Sequence, residues 1–368
     1  MPRCKFVITY SQEKFKMKRI ARNPVKFEPL ELFTAIGREH NYNLQDPAHV
    51  EDFMTKVSAA LKASQENLSL IHGKRIETLF KHLAAGLGGC LFIKSEDAGE
   101  AIAIDADIIP PDYRLILNDG THIFVEVKNC NNPNPHDLFE LRKSYSDKIE
   151  KYAQLHGIPV YYAIYYRCIN RWVLVKRDVL NETENHHSTN LFHALANNQM
   201  AILGDMMVGT RPDLKFELVA DETKECRVSE DGQAYFTPKE VNFYCNDVKI
   251  EDSQEKNLAY YLMRYGEWDS SDSTAVMGDN DELLSVYFTF EPHSRENMDT
   301  NGFELIGNLS TMITAAFNEQ TIREQTVTAI DTRHEPEVFG ITIPKDYKGK
   351  ILPLWRIQQQ PNPDFEIK

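Results

Sequence analysis

Three ionisable residues in one short stretch carry the chemistry that this sequence offers. In "PPDYRLILNDGTHIFVEVKN", residues 110–129, Asp112 opens one strand-like run, and Glu126 and Lys128 lie two apart in the next. Strand side chains alternate between faces, so Asp112 shares a face with Arg114 and Ile116, and Glu126 shares one with Phe124 and Lys128. Asn118, Asp119 and Gly120 suit a three-residue hairpin loop, a type I turn followed by a left-handed residue. That loop pairs Leu117 with Thr121, Arg114 with Phe124 and Asp112 with Glu126. A two-residue turn would set Asp112 against Val127 and scatter the group. Carboxylates about 5 Å apart on a sheet destabilise each other. Protonation of one, or a hard divalent cation between them, relieves this. A lysine beside such a cation can stabilise phosphoryl charge or orient water. The competing reading is a solvated hairpin face with a surface salt bridge. The apolar setting of Glu126 in "IFVEVK" and the abrupt start at Pro110-Pro111-Asp112 favour a central strand.

The elements that would position these residues are α/β in pattern. "DPAHVEDFMTKVSAALKASQ" places Val50, Phe53, Met54, Val57 and Leu61 on one helical face. "SLIHGKRIETLFKHLAAGLGG" gives a second helix, with Ile71, Ile76, Leu79, Phe80 and Leu83 apolar, ended by Gly86, Gly88 and Gly89. Strands are expected at 4–11, 90–94, 101–109, 112–118 and 121–129. A helix at 136–157, capped by Gly157, leads to two more strands, "IPVYYAIYYR" and "RWVLVKRD". Helices and strands thus interleave. The polar stretch "LNETENHHSTN", 180–190, reads as an irregular boundary. Beyond it, strands are expected in "KFELVAD", "EVNFYCNDVKI", "LLSVYFTF" and "QTVTAI". Helices are expected in "LFHALANNQMAILGDM", "SQEKNLAYYLMRYG" and "NGFELIGNLSTMITAAFNEQ". Residues 267–282 read as a mobile acidic loop and the last residues as a frayed tail.

At this point the chain resembles the PD-(D/E)xK nuclease superfamily, on Pro111-Asp112, thirteen intervening residues, and Glu126-Val127-Lys128. The likeness covers roughly residues 65–178. It implies a restriction-endonuclease-like mixed central sheet flanked by helices within residues 1–180. The residues beyond match no family, and their charge and element pattern read as an acidic α+β domain at 181–368. It implies that Asp112, Glu126 and the Val127 carbonyl hold Mg²⁺, with Mn²⁺ as a substitute. Glu77, on the preceding helix, would be an outer or second-metal ligand. Lys128 would contact the scissile phosphate or the attacking water. Lys148 and Lys151 match, loosely, the substrate-facing residues of the helix that follows. Apart from the resemblance, Arg114 shares the face of Asp112, which suits either a phosphate contact or a structural pairing with Glu126 or a neighbouring acid. The implied activity is metal-assisted hydrolysis of phosphodiester bonds, in DNA before RNA, in restriction or phage defence. The alternatives are an RNase with the same site, or a catalytically inactive nuclease-fold module that binds nucleic acid or protein.

Other constellations read as structure. Glu96 and Asp97, before Ala98-Gly99, fit a turn. Asp105 and Asp107 fit a strand entry, with a metal role as the other possibility. The tyrosines of "VYYAIYYR" fit core better than base stacking. His186, His187 and His193 fit a solvated linker. "GLGG" follows a helix rather than opening one, so it is not a phosphate cradle. Six scattered cysteines without a CxxC pair, and no secretory or membrane-spanning apolar run, suggest free thiols in a reducing, cytoplasmic setting. The net charge of −14 is uneven. Residues 1–180 hold 25 Lys and Arg against 22 Asp and Glu, whereas residues 181–368 hold 16 against 33. A nucleic-acid surface therefore belongs on the first half. The second half suits a protein partner, a homo-oligomer contact, or recognition or regulation.

Overall fold

A computed structural model describes residues 17–20, 24–99, 102–104, 107–228, 233–280, 282–292, 300–344 and 346–365. The strand expected at 4–11, and Asp105, lie outside these. Three helices come first: α1 (Pro24–His40), α2 (Pro47–Glu66) and α3 (Leu68–Gly86). The Asp46 carboxylate starts α2 by accepting a hydrogen bond from the Ala48 amide at 3.0 Å, and proline fits the first helical position. Asn67 caps α3 through the Leu70 amide at 3.1 Å. Of the expected α2 stripe, Phe53 is buried against Phe33, while Val50, Met54 and Leu61 are exposed. On α3 most of the stripe is used: Ile76, Leu79, Phe80 and Leu83 are buried, and Ile71 is half-buried.

The central sheet runs in the order β1–β2–β3–β5–β6, from β1 (Cys90–Ser95), β2 (Tyr113–Leu117), β3 (His122–Cys130), β5 (Val160–Tyr166) and β6 (Arg171–Val175). β3 and β5 are parallel and the other pairs antiparallel, so the sheet is mixed. The parallel step needs a crossover, which β4 (Phe139–Arg142) and α4 (Lys143–His156) supply. Gly157 ends α4 in the left-handed region, at φ 63°. One face of the sheet packs Leu115, Val125, Val127 and Leu174 with α3. The other packs Phe124, Tyr162, Ile164 and Val173 with α4. All of β5 is buried, so its tyrosines are core.

Several segments differ from the sequence reading. Residues 102–104 and 107–109 form no regular strand, although "AIAIDADII" alternates. Residues 139–142, expected in a helix, are β4, because they pair with β8 (His186–Thr189). β7 (Asn181–Glu182) joins β8 as well, so the stretch read as an irregular boundary carries strand, with His187, Ser188 and Thr189 buried. Residues 270–277, expected in a mobile loop, form β15 (Ser270–Met277) on β16 (Leu283–Glu291). Residues 304–308, expected in a helix, pair as strand with β9 (Met207–Thr210), and α7 (Leu309–Thr321) begins only afterwards. In the expected tail, the Asn362 amide bonds the Ala196 carbonyl at 2.8 Å.

The second half centres on β10 (Leu214–Ala220) in an antiparallel sheet with β16 and with residues 238–245. After the short helix α5 (Leu191–Ala196), helices α6 (Ser253–Tyr265) and α7 share one buried cluster with α3: Leu258, Leu262, Met312 and Phe317 join Leu79, Phe80 and Leu83. Arg75, 5% exposed, reaches from α3 to Asn318 Oδ1 (2.8 Å) and Thr321 Oγ1 (3.2 Å). These acceptors lie in the last turn of α7, whose dipole favours a cation there. Among the described residues, no helix is long and apolar enough to cross a membrane, and Cys90, Cys130, Cys168, Cys226 and Cys245 are free.

The "GLGG" stretch marks a close approach of two backbones. The Gly89 amide donates to the Leu203 carbonyl at 2.9 Å. A Cβ on Gly89 would lie 2.2 Å from that carbonyl's carbon and oxygen. Gly89→Ala must therefore push the segments apart, and a loss of about 2–3 kcal/mol is expected. The measurement is urea unfolding, with a lower midpoint at unchanged slope. An unchanged midpoint would mean that the contact is not needed.

Candidate functional site

The hairpin has the expected register. Tyr113 pairs with Val125, Arg114 with Phe124 and Leu115 with Ile123. The loop closes through Leu117 N–H to the Thr121 carbonyl (2.8 Å) and Gly120 N–H to the Leu117 carbonyl (2.9 Å), with Gly120 at φ 84°. The Asp119 carboxylate accepts from the Thr121 amide at 2.9 Å. Past Tyr113 the ladder gives way to a side-chain contact, and Asp112 Oδ2 accepts from the Val127 amide at 2.7 Å. The Asp112 carbonyl meanwhile accepts from Glu96 N–H at 2.9 Å. Asp112 is thus held on both sides, by β3 through its carboxylate and by the end of β1 through its backbone.

Glu126 is 2% exposed. Its Oε1 accepts from Lys128 Nζ (2.6 Å) and from the Tyr145 hydroxyl (2.6 Å). Tyr145 comes from the first turn of α4, and its ring lies 4.6 Å beneath the Lys128 ammonium. The Tyr145 hydroxyl is held well above its ordinary pKa by burial first and then by the charge and hydrogen bond of Glu126, so it stays a donor. Nothing in the sequence pattern singled out Tyr145. Only the packing of α4 on β3 brings it there.

On the α3 side, Glu77 is anchored by its carbonyl, which accepts from the Tyr113 hydroxyl at 3.0 Å. Glu77, Asp97 and Asp112 each offer a carboxylate oxygen, and these oxygens lie within 4.8 Å of one another. Asp97, read from sequence as a turn residue, is part of this group because the turn after β1 folds over it. Lys74 Nζ lies 2.6 Å from Glu77 Oε2 and 3.7 Å from Asp97 Oδ2.

Other expected site residues go elsewhere. Lys148 and Lys151 reach Asp107, at 2.7 Å and 3.5 Å. Their hydrogen bonds and charge hold the Asp107 carboxyl below its usual range, with the Lys148 hydrogen bond largest. The Arg114 guanidinium meets His122 Nδ1 at 3.0 Å. At Val127 the observed contact is its amide, donating to Asp112.

The electrostatics are strained by charge of one sign. Asp112 is pushed up to about 8, by burial first and the Glu126 carboxylate second, with Glu77 adding to both. The Val127 amide and the Lys128 ammonium work against this rise. Four carboxylates, on Glu77, Asp97, Asp112 and Glu126, face two ammonium groups, on Lys74 and Lys128. Fully ionised, the group retains two negative charges, the charge of one divalent cation. The donors are all carboxylate oxygens, which suit hard cations such as Mg²⁺. The residues therefore fit such an ion.

No protein-family model and no curated protein matches the chain. Among solved structures, it is similar to Hjc, a Holliday junction resolvase from Archaeoglobus fulgidus, an archaeal hyperthermophile. The sequences are 19% identical. The match covers 26% of this chain and 80% of the other, with a TM-score of 0.21.

Proposed function

We propose that the protein is a divalent-metal-dependent nuclease of the PD-(D/E)xK type, hydrolysing phosphodiester bonds in DNA rather than RNA. The observation that carries this reading is the convergence of Asp112, Glu77 and Asp97 from three separate elements, beside the Glu126–Lys128 pair. A surface salt bridge would not need this arrangement. Asp112, Glu77 and Asp97 would hold the cation, with Glu126 as a further ligand. Bound there, it would polarise a phosphoryl oxygen and make a water more nucleophilic. Lys128, steadied by Glu126 and the Tyr145 ring, would meet the scissile phosphate. The preference for DNA rests on the likeness of the motif to restriction-type nucleases, and restriction or phage defence is the corresponding biology. The acidic residues 181–368 would recognise or regulate rather than grip phosphate.

The test is metal loading. Metal-stripped protein should gain thermal stability on adding Mn²⁺ or Mg²⁺, and should then nick plasmid DNA. Mn²⁺ soaked into crystals should give anomalous scattering beside Asp112. Metal binding without cutting of DNA or RNA would identify a binding module instead. No metal binding would end the nuclease reading.

A further inference from the structure

Lys74 reaches two of the three carboxylates that would hold the proposed ion. It lies three residues before Glu77 on α3, a spacing that puts both side chains on one face. Its ammonium touches Glu77 at 2.6 Å and lies 3.7 Å from Asp97. Burial alone would lower its pKa, but the Glu77 hydrogen bond and the charges of Glu77, Asp97 and Asp112 outweigh burial and raise it. These are the three carboxylates whose oxygens cluster within 4.8 Å. Lys128 differs, being tied to Glu126 and Tyr145 instead.

On the metal-site reading, we infer that Lys74 is an internal counter-ion that competes with the divalent cation for Glu77, Asp97 and Asp112. Without metal it offsets part of the repulsion among them. When a cation enters, the ammonium swings outward. Its side chain is 48% exposed and carried on a flexible four-carbon stem, so water is close at hand. The exchange replaces a single positive charge with two. A divalent ion gains from this exchange and a monovalent one does not, so Lys74 lowers metal affinity while sharpening selection for higher charge.

The experiment is calorimetric titration of the metal-stripped full chain with Mn²⁺. Lys74→Met should bind Mn²⁺ roughly three- to tenfold more tightly than wild type, the range expected for losing one partly exposed ion pair. Lys74→Gln, with an uncharged polar head, should match it and guards against a folding defect in the first variant. Lys74→Arg, which keeps the charge, should bind no more tightly than wild type. Lys81→Met removes the same charge from α3 where it pairs with Asp331 at 3.1 Å, and should leave the affinity unchanged. Mn²⁺ uptake at equal affinity by wild type and both uncharged variants would overturn the inference alone. No uptake by any of them would overturn the metal reading and the inference together.

Discussion

Lys128→Met is expected to lower plasmid cleavage by roughly a thousandfold while leaving Mn²⁺ affinity undiminished. The two readouts separate because the lysine is no ligand. Its ammonium sits 2.6 Å from Glu126 Oε1 and above the Tyr145 ring. Methionine keeps the length of the stem and removes only the charged head. Losing a cation beside four carboxylates cannot weaken their hold on a metal ion, so binding should persist or tighten. Charge that develops on phosphate in the transition state would lose its stabilising partner, and that loss should appear in kcat. A solvated salt bridge on an open hairpin predicts something else: no cleavage in either protein, and little change in stability. Supercoiled plasmid with Mn²⁺, followed by gel over time, gives the rate, and calorimetry gives the affinity. Cleavage within tenfold of wild type would remove Lys128 from the proposed chemistry.

The parts of this site that were legible in sequence are those governed by local geometry. The alternation around Glu126 and the Asn118-Asp119-Gly120 loop fixed which residues oppose which, and Arg114 does pair with Phe124. Turn chemistry acts over a few residues, so it can be read from a few residues. The rest depends on distant chain. Asp97 joins Glu77 only because β1 runs beside β2, and Tyr145 reaches Glu126 only because α4 crosses over to β5. Two of the missed strands share this cause: residues 139–142 and 186–189 become strands by pairing with each other from far along the chain. Residues 270–277 pair instead with the next strand, β16, and escape a sequence reading because their own polar composition does not announce a strand. "AIAIDADII" errs in the opposite sense. It alternates well, yet its described residues find no partner strand, and Ile102 and Ile104 are exposed. The expected pairing of Asp112 with Glu126 was a ladder position, but Asp112 instead turns its carboxylate onto the Val127 amide. In that position Asp112 lies beside Glu77 of α3 as well as Glu126.

Asp112→Asn is expected to stabilise the metal-free protein at pH 8 by a few kcal/mol while abolishing metal uptake and cleavage. The Asp112 carboxyl is pushed up to about 8, by burial and by Glu126 on β3, with Glu77 on α3 adding to the rise; the Val127 amide and Lys128 oppose it. An unfolded chain releases this proton near pH 4. Between about pH 4 and pH 8 the folded protein therefore holds a proton that the unfolded chain has lost. Stability must fall as pH rises through that window, and the full cost of ionising Asp112 is present above it. Asparagine keeps the oxygen that accepts from Val127 and never ionises. Its melting temperature in chelator should exceed wild type at pH 8, converge with it near pH 4, and show a shallower slope between. Added Mn²⁺ should reverse the order at pH 8, since wild type gains a ligand that binds only its folded state and the variant does not. Thermal melts at several pH values, with chelator and with Mn²⁺, give all three comparisons. A variant less stable than wild type in chelator at pH 8, with the same slope, would mean that Asp112 carries no unrelieved charge and that its burial serves packing alone.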